Sequence, residues 1–289
     1  MTAAALLLIT VSALMHASWN YLTKSSRDKL VFLWATGIEG SLFFLPLLLW
    51  TDTGSWSARV WLGFGLGAGL RALYFLSLGA AYARGDLSIV YPVARGIAPV
   101  LVPLAAAVLL GERLSAAGGL GVVAVALGVY LVHLPALNAR DLFVPFTRLR
   151  AVPTRYAAVT GVLTTTYSLA DKWNIGDGVP PLPYAYFTIP VAALLLTPAM
   201  LRRPRRAVPE WRESGWRIPA VALLMTSSYL LVLFALQSTQ VSYVAPSREL
   251  GIVFGTILGS VVLHEGAAPQ RIAGSGVIVL GVVLLSLGS

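Results

Sequence analysis

Ten runs of about twenty predominantly apolar residues follow one another along this chain, and their length is the strongest constraint on what it can fold into. A hydrocarbon core of ~30 Å is crossed by about 20 helical residues, so each run has the length of one membrane span. In order they cover 3–22, 30–50, 59–82, 87–110, 115–134, 154–173, 184–201, 215–237, 241–264 and 268–288. The connections are short, as in the "RGD" of Arg84 to Asp86 and the "QSTQ" of Gln237 to Gln240, so neighbouring runs are predicted to pair as antiparallel hairpins. The expectation is an all-α integral membrane protein whose main partner is the lipid bilayer.

Composition closes off other classes. Of 289 residues, 57% are hydrophobic and 11% charged, outside the range of soluble domains. There is no cysteine, which excludes disulfides and thiolate chemistry, and three scattered histidines do not make a metal cage. No cofactor, metal site or catalytic group is therefore expected. The excess of 21 basic over 12 acidic residues lies mostly in short connections, which fits loops at a membrane surface better than nucleic-acid binding. The first run has no basic segment before it and is followed by Lys24 instead of a cleavage site, so it is expected to remain as a membrane helix.

Fifteen basic residues fall in the odd-numbered connections, among them Lys24, Arg84, Arg148, Arg205 and Arg271, against Arg59, Arg113 and Lys172 in the even ones. By the positive-inside rule the odd connections face the cytoplasm of a plasma or inner membrane, and both termini lie outside.

The chain also repeats itself at a separation of 153 to 154 residues: Trp19-Asn20 returns as Trp173-Asn174, Arg95 as Arg248, Glu112 as Glu265, Gly121 as Gly274 and Gly128 as Gly281. Five runs per copy is an odd number, so the halves, 1–138 and 139–289, are expected to cross the membrane in opposite directions. Inverted repeats of this kind build secondary transporters with a site near the midplane.

The stretches "HASWNYLTKSS", "LSIVYPVARGIAPVLVPLAAAVLLGERLSAAGGLGVVAVALGVYLV" and "YVAPSRELGIVFGTILGSVVLHEGAAPQRIAGSGVIVLGVVLLSL" resemble the paired EamA domains of the drug/metabolite transporter superfamily. The resemblance implies ten transmembrane helices as two inverted five-helix repeats, alternating access, and a central cavity lined mainly by the third, fourth, eighth and ninth helices. It brings in exporters of amino acids, such as the YddG-type aromatic amino-acid exporters, as well as carriers of phosphorylated sugars and a phosphonate-associated subgroup. Many members are thought to keep both termini in the cytoplasm, opposite to this chain's loop charges.

Candidate substrate-binding residues follow from the pattern. Arg71, Tyr74, Leu78 and Tyr82 share one helical face, and Thr226, Tyr229, Leu233 and Gln237 repeat the same steps. Such a stripe either lines a path or packs helix on helix. Arg71 lies mid-span at the depth of Glu39, so the two are expected to pair, as a structural ion pair or as part of proton coupling. Tyr91 and Arg95 in "YPVARGIAP", and Tyr243 and Arg248 in "YVAPSREL", flank prolines that break or kink a helix. The two arginines suit a carboxylate or phosphate, unless they snorkel or pair with a nearby acid. Trp19, Asn20 and Trp173 mark candidate gates at opposite ends of the path, with Asn20 alternatively satisfying helix-end carbonyls. His16, Glu39 and Asp171 are the candidate proton carriers. Glu112 and Glu265 are expected to cap hairpins.

Together these features point to a non-enzymatic carrier of small molecules, foremost an exporter of amino acids, aromatic and hydrophobic ones included. Carriage of phosphonates, phosphorylated sugars or other organic anions is the alternative substrate class. An intramembrane lipid-modifying enzyme or an inert scaffold are the alternative classes.

Overall fold

A computed structural model describes residues 1–24, 26–49, 56–84, 87–134, 136, 151–202, 204–262 and 268–289, and every regular element among them is a helix. The elements are α1 (Ala3–Lys24), α2 (Lys29–Leu49), α3 (Ala58–Tyr82), α4 (Leu87–Leu109), α5 (Ala116–Val132), α6 (Val152–Gly176), α7 (Pro181–Leu201), α8 (Pro204–Ser214), α9 (Arg217–Ser238), α10 (Val241–Ser247), α11 (Leu250–Val262) and α12 (Pro269–Gly288). Helices α1, α2, α3, α7, α9 and α12 are each long and apolar enough to cross a bilayer. The expected half boundary at 138/139, Glu265, and the side chains of Tyr82 and Tyr91 lie outside the described residues.

Packing inverts the soluble pattern. The buried core is rich in alanine, including Ala5, Ala13, Ala68, Ala106, Ala157 and Ala222, whereas Leu62, Val108 and Leu287 are 73%, 83% and 76% exposed. In lipid there is no hydrophobic gain in burying leucine, so small residues that let backbones approach hold the helices together. The closest approach is between α5 and α12. A Cβ on Gly121 would stand 2.8 Å from the Gly281 carbonyl oxygen, and one on Gly274 would stand 2.7 Å from that of Gly128. Real Cβ atoms do not come so near, so glycine is required at this crossing.

Side-chain contacts sort the connections onto two faces. On one face, Arg59 pairs with Asp177, the Lys172 Nζ donates to the carbonyls of Leu236 and Thr239 at 2.8 and 2.9 Å, and Ser115 meets Gly288 near the C-terminus. On the other, Glu210 of α8 accepts the Asp28 amide at 2.8 Å, and Asp28 caps the first turn of α2 through the amides of Leu30 and Val31. The short helix α8 is thereby docked beside the start of α2, an element that the expected runs did not include.

The ninth expected run is divided. Pro246 has no amide hydrogen to donate, and beyond it the amides of Glu249 and Gly251 bond three residues back, to Pro246 and Arg248, at 3.0 and 3.1 Å. The α-helix therefore stops at Ser247 and restarts at Leu250. Non-helical backbone within a membrane-spanning segment is tolerated only against protein or a polar cavity.

Candidate functional site

The break between α10 and α11 carries the first cluster. Arg95 of α4 reaches Glu249 across it, with Nη2 and Oε2 3.1 Å apart and Glu249 buried. Opposite the restart of the helix, the His16 ring lies against Gly251, where a Cβ would meet it at 3.7 Å, and Trp19 sits edge-on to His16 at 4.7 Å. Among the described residues, the buried polar atoms here without a hydrogen-bond partner include the Ser247 Oγ and, one ring further on, the Trp19 Nε1. Buried polar groups are nearly always satisfied, so these atoms leave hydrogen-bonding capacity beside the broken helix. Arg248 stands half-buried in the break itself.

The second cluster is built on a carboxylate. Asp171 of α6 is 2% exposed and accepts from Arg71 Nη2 on both oxygens, at 3.0 and 2.8 Å. The hydroxyls of Tyr184 and Tyr229 add bonds to its Oδ1 at 2.9 and 3.2 Å. Arg71 also donates to the Gly67 carbonyl of its own helix at 3.1 Å, and its guanidinium lies 4.3 Å from the Tyr229 ring centre and 5.2 Å from that of Tyr167. Tyr74 packs edge-on against Tyr167 at 5.6 Å. Toward the N-terminus of α3, Phe64 and Phe187 stack at 5.2 Å above Tyr184.

This corrects the expected Arg71–Glu39 pair. Glu39 is half-buried on α2 and makes no ion pair among the described residues, because depth along the span says nothing about azimuth and Arg71 faces α6. Tyr229 and Tyr74 of the predicted stripe do reach the Arg71 cluster, whereas Gln237 at its end is exposed.

The remaining expected site residues fall elsewhere. Trp173 is 41% exposed with Arg59 stacked over its ring at 4.7 Å, which places it on the perimeter and outside both clusters. Tyr243 is buried at the end of the bundle, donating to the Gly288 carbonyl at 2.9 Å and accepting from the Ser115 amide at 3.2 Å. Asn20 and Asn174 behave alike: each donates to the carbonyl four residues back, His16 at 2.7 Å and Ala170 at 2.8 Å. Sequence reasoning passed over Tyr167 and Tyr184. The i, i+4 spacing of Tyr167 and Asp171 on one face of α6 was a usable signal for the former.

Among the described residues no group of three or more His, Asp or Glu is placed to hold a metal ion.

Comparison with known proteins agrees with this architecture. The model of the EamA-like transporter family matches residues 155–287. A probable 4-amino-4-deoxy-L-arabinose-phosphoundecaprenol flippase subunit, ArnE, from Enterobacter sp. (strain 638) is 31% identical over 102 residues, which are 35% of this chain and 95% of that relative. One solved crystal structure superposes with a TM-score of 0.79 at 20% identity, over 99% of this chain and 98% of its own, and shows the fold alone. With near-complete coverage of a relative above 30% identity and a family match across its C-terminal half, the chain belongs to the EamA-like transporter family of the drug/metabolite transporter superfamily.

Proposed function

We propose that this membrane transporter is a secondary carrier that exports amino acids, aromatic and hydrophobic ones included, across a bacterial-type inner membrane by alternating access. The observation that carries the reading is the break between α10 and α11, where a half-buried Arg95 pairs with the buried Glu249, Arg248 stands half-buried, and His16 lies against the helix restart with Trp19 edge-on to it. Arginine offers paired donors to a carboxylate, a carboxylate accepts an ammonium, and aromatic faces take an apolar moiety. An amino acid has all three parts.

The ten-span inverted repeat belongs to this proposal. Its support is reciprocity: α3 packs on α6 as α1 packs on α9, and the glycine contacts run Gly121 to Gly281 and Gly128 to Gly274, each becoming the other when both members are exchanged for their repeat counterparts. The family match spans one such half, 155–287. The loop charges favour termini outside, and they sharpen once Lys172 is discounted, since it caps the end of α9.

A second reading is favoured by the ArnE relative, whose name describes a flippase subunit for an aminosugar carried on phosphoundecaprenol. Its phosphate would take the arginine role and its amine that of the ammonium. Counterflow in proteoliposomes separates the two. Exchange of phenylalanine but not of 2-aminoethylphosphonate supports amino-acid carriage, the reverse favours phosphorylated solutes, and exchange of neither contradicts both.

A further inference from the structure

The Arg71–Asp171 assembly is more than a pair of ions. Asp171 is buried where a carboxylate without a cation is strongly unfavourable, so while it stays ionised a cation must face it. The cation found there, the Arg71 guanidinium, is held by the Tyr229 and Tyr167 ring faces, which grip any organic cation by the same electrostatics. The Tyr184 and Tyr229 hydroxyls orient the carboxylate through Oδ1 without neutralising it. Carboxylate, two hydroxyls and two rings thus form a cation box built from α6, α7 and α9, and only its occupant comes from α3.

We propose that the Asp171 box is a recognition site for the cationic group of the transported solute, a primary ammonium or a guanidinium, taken in exchange for Arg71. The word "transported" rests on the carrier reading above; binding to the box does not. Exchange keeps the buried carboxylate compensated at every step, and it undoes the Arg71 tie of α3 to α6 only when a solute is present, while the bonds of Ser77 to Tyr156 and Thr160 still join the two helices. Occupancy is thereby coupled to the Arg71 tie between the two helices, and the displaced guanidinium, itself buried, takes the solute's own carboxylate as its new partner.

Chemical rescue tests it on purified protein in detergent. Arg71→Ala empties the box, and its lowered melting temperature is expected to recover saturably with millimolar methylguanidinium but not with sodium chloride of equal ionic strength. Recovery is expected to vanish in Arg71→Ala/Asp171→Asn. Absence of recovery, or recovery that persists in the double variant, overturns the proposal. If Arg71→Ala yields no folded protein, Tyr167→Ala, which leaves the ion pair in place, is expected to weaken phenethylammonium binding about fivefold relative to wild type. Unchanged affinity there would equally overturn it. Because binding is read without vesicles or gradients, intact cation binding alongside absent transport contradicts the carrier reading alone.

Discussion

Glu112, just past the end of α4, caps a helix far along the chain: its carboxylate accepts from the amides of Val241 and Ser242 at 2.9 Å each and from the Ser242 hydroxyl at 2.6 Å. The expectation that Glu112 caps its own hairpin is thereby redirected to α10. The short helix is held at its start by this carboxylate, while Lys172 holds the last carbonyls of α9 on the other side of the turn. Three charge-assisted bonds to a buried carboxylate predict that Glu112→Ala costs about 2 to 3 kcal/mol, with Glu112→Gln recovering part of it. Thermal unfolding in detergent checks this, and an unchanged midpoint for the alanine variant would contradict the cap.

The glycine crossing makes a paired prediction within one helix. Gly274→Ala pushes a methyl against the Gly128 carbonyl and should lower stability, although alanine is the better helix former. Gly276, also on α12, has open space around its Cβ position, so Gly276→Ala should be neutral or stabilising by up to about 1 kcal/mol. Equal effects of the two substitutions would show that α5 and α12 do not meet as described.

Removing one member of the Arg71–Asp171 pair leaves the other buried and unpaired, a loss of about 3 to 5 kcal/mol. Arg71→Gln and Asp171→Asn should each show it, and the double variant should lose clearly less than the sum of the two. Additive losses in a double-mutant cycle would mean that the two residues do not act on each other. The same substitutions combined with Glu39→Gln should show no coupling.

Asn20 and Asn174 each close a bond within their own helix, worth about 1 kcal/mol. Asn20→Ala is therefore expected to keep transport within about twofold of wild type. A much larger fall with unchanged expression would restore Asn20 as a gate.

Much of the helical layout was legible because the bilayer fixes the length of a span, and run length survives in the sequence. Pro246 announced a disturbed helix, but not that the backbone would resume only at Leu250, since that depends on what Arg95 and His16 offer across the gap. The partner of Arg71 was not legible. Counting residues gives depth, and depth admitted Glu39, whereas azimuth and the neighbouring helix decide the contact, and these gave Asp171. Trp19 and Trp173 make the same point: they match in order along the chain, yet one packs on His16 and the other faces outward beneath Arg59.

The central claim is that a solute path passes the helix break, and the absence of any cysteine allows a direct measurement. A single Ser247→Cys thiol, at a position now fully buried, is labelled with a membrane-impermeant maleimide added to either side of sealed vesicles. Alternating access predicts slow labelling from both sides, reduced by transported amino acid. Labelling from neither side, or from one side only and insensitive to solute, would contradict the account.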